Sequence, residues 1–405
     1  MFCTTPLRHT LVDLGMSPLC ESYVTAGQLN QMERFYPLHV FLCEQCFLAQ
    51  LHQYVSAESI FSEYAYFSSY SESWVEHAKR YAAMIAKRLS LGAQSLVIEV
   101  ASNDGYLLQH FLPRGIPVLG IEPAANVAAV AESHGIPTLV KFFGRSLAGE
   151  LAAAGKIADL IVGNNVLAQV PDINDFVGGI NTLLGARGVA TLEFPHLMRL
   201  MAENQFDTIY HEHFSYFSFL TVERIFAAHG MKLVDVEELP THGGSLRIYA
   251  RHIGDHTEPT SDTVIALREK EQEAGVRSLE HYSSFADNVK ATKRKLLDFL
   301  IGAKQKGLTI AGYGAPGKGN TLLNYCGIRT DFVDYTVDRN TYKQGKYLPG
   351  THIPILHPDT IKQTKPDLIL ILPWNVKEEI MAQLSYIREW GGRFLVPIPE
   401  VRVYS

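Results

Sequence analysis

VIEVASNDGYLL, residues 97–108, is the stretch on which the fold turns. Its first four residues read as a strand with Glu99 near the end, Ser102 and Asn103 fall in a turn of small residues, and Gly105 precedes an expected helix. A glycine there lets the backbone approach a ligand closely, and a helix N-terminus adds positive potential. One late glycine does not make the GxGxxG fingerprint that cradles a pyrophosphate, so a dinucleotide is disfavoured at this turn.

The same pattern recurs outward from this stretch. SLVIEVA, PVLGIEP, DLIVGNNVL and GVATLEFP read as four strands separated by helix-length segments, the alternation of a parallel sheet covered on both faces. MKLVDVEEL and GSLRIYARH, flanking Thr241-His242-Gly243-Gly244, read as an antiparallel hairpin at the edge of that sheet. Glu122 ends the second strand, where a carboxylate can accept both hydroxyls of a ribose, and Asn164-Asn165 end the third. Glu99, Ser102, Asn103, Gly105, Glu122, Asn164 and Asn165 thus outline a pocket for a ligand with a ribose and an amino-acid moiety but no phosphate, namely S-adenosylmethionine (SAM).

The 405 residues suffice for two or three α/β domains. Residues 1–56 read as a small cysteine-pinned module and residues 57–255 as a helical lead-in followed by the SAM-binding Rossmann-like domain. Residues 256–405 read as a charged connecting helix (about 261–306) followed by a second Rossmann-like domain. An apolar fraction of 47% with 19% charged residues is that of an ordinary globular protein. A net charge of −6 gives no support for a nucleic-acid or anionic-membrane partner. The longest apolar runs are strand-length, and no secretion signal is evident, so the expected address is the cytoplasm.

Four of the five cysteines, Cys3, Cys20, Cys43 and Cys46, fall in the first 46 residues, which suggests metal rather than disulfides. Cys43 and Cys46 form a CxxC that can aim two thiolates at one structural zinc, with Cys3 as third ligand and Cys20 as one possibility for a fourth. The alternative is a reduced CxxC packed as small apolar side chains. A further glycine-rich loop, GYGAPGKGNT at residues 312–321, follows another strand. It fits GxxxxGK except that Gly319 stands where a magnesium-binding Ser or Thr is needed. The loop either offers backbone N–H groups and Lys318 to a substrate phosphate or closes a domain interface; a second dinucleotide site is the minor alternative.

TIYHEHFSY, residues 208–216, concentrates two histidines, a carboxylate and two phenols. Ser215 stands where a zinc protease has its second histidine, so that reading fails. The tyrosines Tyr64, Tyr66 and Tyr70 suit either a core or a binding wall.

Taken in order, PLRHTLVDLGMSPL, CEQC, YFSSYS, VIEVASNDGYLL, YHEHFSYFS, THGGSLR, GYGAPGKGNTLLN and YLPGTHIPI resemble the sugar C-methyltransferases that make branched deoxysugars, including the 3-C-methyltransferase of tetronitrose biosynthesis. The resemblance covers nearly the whole chain. It implies a zinc-binding module, a SAM-binding domain and a C-terminal Rossmann-like domain acting on a nucleotide-diphosphate-linked 4-keto deoxysugar. By similarity Tyr210, Glu212 and His213 match active-site residues and Tyr66 a substrate-side tyrosine. His213 is the expected base for the carbon next to the ketone, Glu212 the orienter of an imidazole or a tyrosine, and Tyr210 a group that donates to the enolate oxygen or exchanges a proton with it. His242 is a further substrate-contact candidate, and His211 is expected to be structural. Two departures stand out: only Cys3 remains of an N-terminal CxxC, and Gln169 in VLAQVPD replaces a histidine of the family pattern, removing a group able to titrate near neutrality. The competing readings are a nicotinamide-dependent nucleotide-sugar oxidoreductase or epimerase using residues 312–321, and a catalytically impaired methyltransferase.

Overall fold

Val97–Val100 is buried at all four positions and lies inside a seven-stranded sheet, parallel to Val118–Ile121 on one side and to Ala158–Asn164 on the other. The computed structural model that shows this describes residues 2–61 and 67–405. Thr138–Leu139, too short to be noticed in the sequence, forms one edge beyond Val118–Ile121. On the other side Ala158–Asn164 is followed by Leu184–Pro195, then by Ser245–His252 and finally by Met231–Leu239. The hairpin is therefore present, but its later strand lies inside its earlier one and runs antiparallel to both neighbours. Burial explains the inversion: Ser245–His252 is buried at seven consecutive positions, whereas Met231–Leu239 carries half-buried and exposed residues suited to an edge.

Strand order reverses between Val97–Val100 and Ala158–Asn164, and a crevice opens at the carboxyl ends of strands at such a switch point. Glu72–Arg88, capped by Ser71, covers one face of the sheet with Trp74, Ala78, Tyr81 and Ile85. Arg145–Ala153, Ile173–Leu183 and Phe219–Ala228 cover the other. The helix expected after Gly105 does not form. The chain makes two 3-10 turns, Leu108–His110 and Leu112–Arg114, and Pro113 cannot sit inside an α-helix. Gly105 is needed on other grounds: its φ is +79° and a Cβ would lie 2.2 Å from Ile136 Cδ1.

The charged segment before the last domain is three helices rather than one: Asp262–Glu273, Leu279–Tyr282 and Phe285–Gln305. Gly275, at φ +77°, breaks the first, and the Ser278 side chain caps the second. Beyond them lies a six-stranded sheet ordered Ile355–Leu356, Tyr335–Val337, Ile310–Tyr313, Leu368–Ile371, Arg393–Val396 and Arg402–Tyr404, parallel except for the last pair.

The N-terminal residues form an antiparallel sheet of His9–Ser17, Tyr36–Leu42 and Ala49–Leu51. Its fourth strand comes from far along the chain: Ser215–Tyr216 pairs with Ala49–Leu51, Ala49 opposite Tyr216 and Gln50 opposite Ser215. The histidine-rich stretch is thereby sewn to the cysteine-bearing module. Leu11, Val12, Leu38 and Val40 of that module share one apolar core with Leu296, Leu300 and Leu322 of the C-terminal region. Among the described residues no helix is long and apolar enough to cross a membrane.

Candidate active site and metal centre

The crevice at the switch point holds about 1300 Å3 of space, part of it open to solvent. Asn103, Glu122, Asn164, Asn165 and Gln169 line it, between walls that include Trp74, Tyr106 and Phe176. Glu122 is fixed by backbone donors: Asn103 N–H at 3.0 Å on Oε2 and Ala124 N–H at 2.9 Å on Oε1. Each oxygen keeps a further lone pair for a ligand hydroxyl. Asn103 (φ +51°) and Asn165 (φ +54°) hold left-handed backbone, which asparagine tolerates better than most residues.

Three of the seven residues expected in this pocket lie beneath it instead. Ser102 is fully buried against Gly120, where a Cβ would meet its Oγ at 2.5 Å. Gly105 packs on Ile136, and Glu99 is fully enclosed in its strand. Neither Glu99 oxygen, nor Asp104 Oδ1, has a hydrogen-bond partner among the described residues. Burial, then the charges of Asp104 and Glu122, push the Glu99 carboxyl well above its usual range. Asp104 Oδ2 accepts from the Ser69 N–H at 3.0 Å, so the acceptors left without a donor beneath the crevice are the Glu99 oxygens and Asp104 Oδ1, which suit the ammonium of SAM as a hydrogen-bond donor. The residues present fit the cofactor.

Beside the crevice, linked to it by the Phe214 N–H to Ala168 C=O hydrogen bond of 2.7 Å, lies the loop carrying Tyr210, Glu212 and His213. His213 is buried, and its Nδ1 lies 3.0 Å from the Thr208 carbonyl. A carbonyl only accepts, so Nδ1 carries the proton and Nε2 keeps its lone pair. Nε2 has no hydrogen-bond partner among the described residues. Burial, with the charges of His242 and Lys318, lowers the His213 pKa to about 4 despite the Thr208 bond, so the ring is neutral at pH 7. The Tyr210 ring sits 4.1 Å from it. His211 turns the other way, to the Pro37 carbonyl at 3.2 Å and the Tyr36 ring.

Glu212 is buried with the Cys20 thiol 3.4 Å from its Oε1. Cys20 thus belongs to this cluster and is not a metal ligand, which corrects the sequence-based option of a fourth thiolate. His242 (φ +54°) bonds Asn165 at 2.9 Å and meets the Trp74 ring edge-on at 4.9 Å. Lys318 reaches in from the C-terminal domain, its charge lowering both His213 and His242. Tyr66 lies outside the described residues.

The sequence did not single out four residues that organise this centre. Glu193 accepts from His77, Arg247 and the Thr241 hydroxyl, and so fixes the turn bearing His242. Burial opposes its ionisation, but those partners hold it down to about 2. Asp207 accepts from Trp374 Nε1 at 2.7 Å, and Trp74 walls the crevice. Asp207 borders TIYHEHFSY, and Trp374 follows the strand Leu368–Ile371 at its carboxyl end; position alone could have flagged both.

The glycine-rich loop at residues 312–321 closes an interface. The Ala315 N–H donates to Asp338, its carbonyl accepts from Tyr23 and Lys343, and a Cβ on Gly317 would lie 2.9 Å from Cys20 Sγ. A pyrophosphate there would have to displace the N-terminal module.

The Sγ atoms of Cys3, Cys43 and Cys46 lie within 4.8 Å of one another. The CxxC turn is closed by Phe47 N–H to Cys43 C=O at 2.9 Å, with Phe47 at φ +57°. Three thiols converging on one point fit a zinc ion at its usual sulfur distance of roughly 2.3 Å.

A seven-stranded sheet whose last strand in chain order, Ser245–His252, inserts antiparallel between Leu184–Pro195 and Met231–Leu239, with ligand-fitting groups at the switch point, defines a SAM-dependent methyltransferase. Comparison with known proteins narrows the class. Residues 1–61 match the family described as "Putative zinc binding domain", residues 74–236 "Methyltransferase domain" and residues 240–399 "C-methyltransferase C-terminal domain". The C-methyltransferase NovU of Streptomyces niveus is 35% identical over 98% of this chain and 94% of its own. The chain belongs to the SAM-dependent C-methyltransferase family. Solved structures are more distant. Magnesium protoporphyrin IX methyltransferase of Synechocystis PCC 6803 with bound SAM is 14% identical over 44% of this chain and 81% of that one, at TM-score 0.33. A SAM-dependent methyltransferase of Clostridium acetobutylicum is 10% identical over 44% and 92%, at TM-score 0.35.

Proposed function

We propose that this enzyme methylates carbon 3, next to the ketone, of a nucleotide-diphosphate-linked 4-keto deoxysugar through an enolate, in branched deoxysugar biosynthesis. The state of His213 supports this most: a neutral, buried imidazole whose Nδ1 proton is tied to Thr208 presents an unprotonated Nε2 with a free lone pair beside the cofactor crevice. The C3–H bond breaks, its proton passes to Nε2, and the bonding pair moves into a C3–C4 double bond as charge collects on the ketone oxygen. Tyr210 is the proposed hydrogen-bond donor to that oxygen; burial, then the Glu212 charge, raise its pKa, so it stays protonated. When bound, SAM supplies an electrophilic methyl group whose bonding pair stays on sulfur. Asn103, Glu122, Asn164 and Asn165 are the proposed cofactor contacts, with Glu99 and Ser102 supporting them from below. Gln169, His242 and Tyr66 are proposed to contact the sugar, and Glu212 to order the Tyr210–His213 pair. Gln169 lines the crevice without adding a titrating group, which leaves proton removal to His213.

The test offers labelled SAM and a panel of nucleotide 4-keto deoxysugars, and locates the label by NMR. Label on carbon 3 is expected, with His213→Gln reducing turnover at least about 1000-fold while SAM still binds. Label on oxygen or nitrogen, or an unimpaired His213→Gln enzyme, refutes the reading.

A further inference from the structure

We propose that Lys318 of the C-terminal domain is a catalytic residue, its ammonium neutralising the ketone oxygen as the enolate forms, and that Asp207 and Trp374 are the positioning residues that hold it there. The inference rests on the keto-sugar reading above and assigns one more of its groups.

Lys318 stands in the first turn of Gly317–Cys326, a helix that floors the catalytic loop. Thr321 donates to the Ile209 carbonyl at 2.8 Å, and Tyr325 meets Phe206 edge-on at 5.4 Å. Nζ donates to Asn375 Oδ1 at 2.7 Å and lies 4.7 Å over the Trp374 ring. Both residues follow Leu368–Ile371 at its carboxyl end, so the ammonium is aimed from two elements of one domain toward the histidine loop of another.

The decisive feature is what Lys318 lacks. No carboxylate among the described residues lies within ion-pair distance of Nζ. Asp207, the acid whose charge acts on Lys318, is engaged with Trp374 Nε1 at 2.7 Å. A half-buried ammonium with no ion-pair partner among the described residues, only the more distant Asp207 charge in support, suits an anionic ligand. The anion is identified by the neighbours. Asp207 directly precedes Thr208, whose carbonyl orients His213, so one turn, Phe206–Thr208, sets both the base and the lysine. With the ligand absent, the lysine charge disfavours protonation of His213. Once the proton has moved, imidazolium and ammonium flank the new oxyanion, and each repulsion is offset by an attraction. The C–H bonding pair ends as the C3–C4 π bond, the former carbonyl π pair resides on oxygen, and Lys318 retains its proton, donating a hydrogen bond. A diphosphate would engage the same ammonium but would not need it beside the base.

Burial lowers the Lys318 pKa to about 8, with Asp207 opposing. The titratable groups facing it are Asp207, His213 and His242. The ammonium is required, so kcat should fall as pH rises through about 8.

The test uses the zinc-loaded full chain and follows both methyl transfer and deuterium wash-in at carbon 3. Lys318→Gln should lower kcat and the exchange rate by about 100- to 1000-fold, with KM changed less than about threefold. Asp207→Asn keeps an acceptor for Trp374 but removes the charge that supports the ammonium, and should move the alkaline limb of kcat to lower pH. Retained kcat with raised KM in Lys318→Gln makes the lysine a phosphate contact and overturns the catalytic role. An unmoved limb in Asp207→Asn overturns the positioning role, and remains readable if Lys318→Gln does not fold. Absence of methylation and exchange in the unsubstituted enzyme overturns the keto-sugar reading, and this inference with it.

Discussion

Glu193 shows how one side chain sets the geometry of several others. It is fully buried, yet ionised, because His77, Arg247 and Thr241 surround it with donors. A carboxyl held at about 2 rather than 4.5 corresponds to about 3 kcal/mol of folding stability. Its pKa is lowered on folding, so that contribution is present above pH 4.5 and lost as pH falls toward 2. Glu193→Gln should lose stability of this order at pH 7 and much less at pH 3, measured by urea unfolding at both. Gly105 is a second case. Gly105→Ala meets both a φ of +79° and a 2.2 Å contact with Ile136, and should cost about 2–4 kcal/mol, read from the denaturation midpoint.

Between elements, the strand pairing of Ala49–Leu51 with Ser215–Tyr216 ties the metal module to the catalytic loop. The pairing is short, and Leu51 N–H extends it to the Phe214 carbonyl at 2.9 Å. Fixing the CxxC turn therefore fixes the residues just after His213, Phe214 to Tyr216. Cys46→Ser should lose zinc by elemental analysis and lower kcat at least tenfold. SAM affinity should change less than about threefold, because the crevice is built by other elements; an equal loss of SAM binding would show that the module supports the whole central domain instead.

Across the molecule, the first and last parts of the chain share one core that also takes in Leu197, Phe206 and Ile209, while the central sheet has a core on each face, one of which includes Cys43, Cys46 and Leu48. Leu296 is fully buried in the shared core. Leu296→Ala should cost about 3 kcal/mol and speed amide exchange in both Tyr36–Leu42 and Ile310–Tyr313, more than in Val97–Val100. Exchange confined to the C-terminal strands would show that the two parts unfold separately.

Periodicity and turn residues were enough to read the strand alternation, because a strand buried on both faces needs an apolar run whatever surrounds it: SLVIEVA and DLILIL could be little else. The CxxC and the carboxylate closing the second strand were legible for the same local reason. Short edge strands such as Thr138–Leu139 carry too few residues for a pattern, and the helix expected after Gly105 was lost to Pro113. What sequence could not supply was distance between segments far apart in the chain. That Glu99 and Ser102 lie under the crevice, that Cys20 meets Glu212 instead of metal, and that the helix bearing Lys318 packs from another domain on the loop leading to His213 are consequences of packing. Local propensity acts over a few residues, whereas a buried charge finds its neighbours only when whole sheets close on one another.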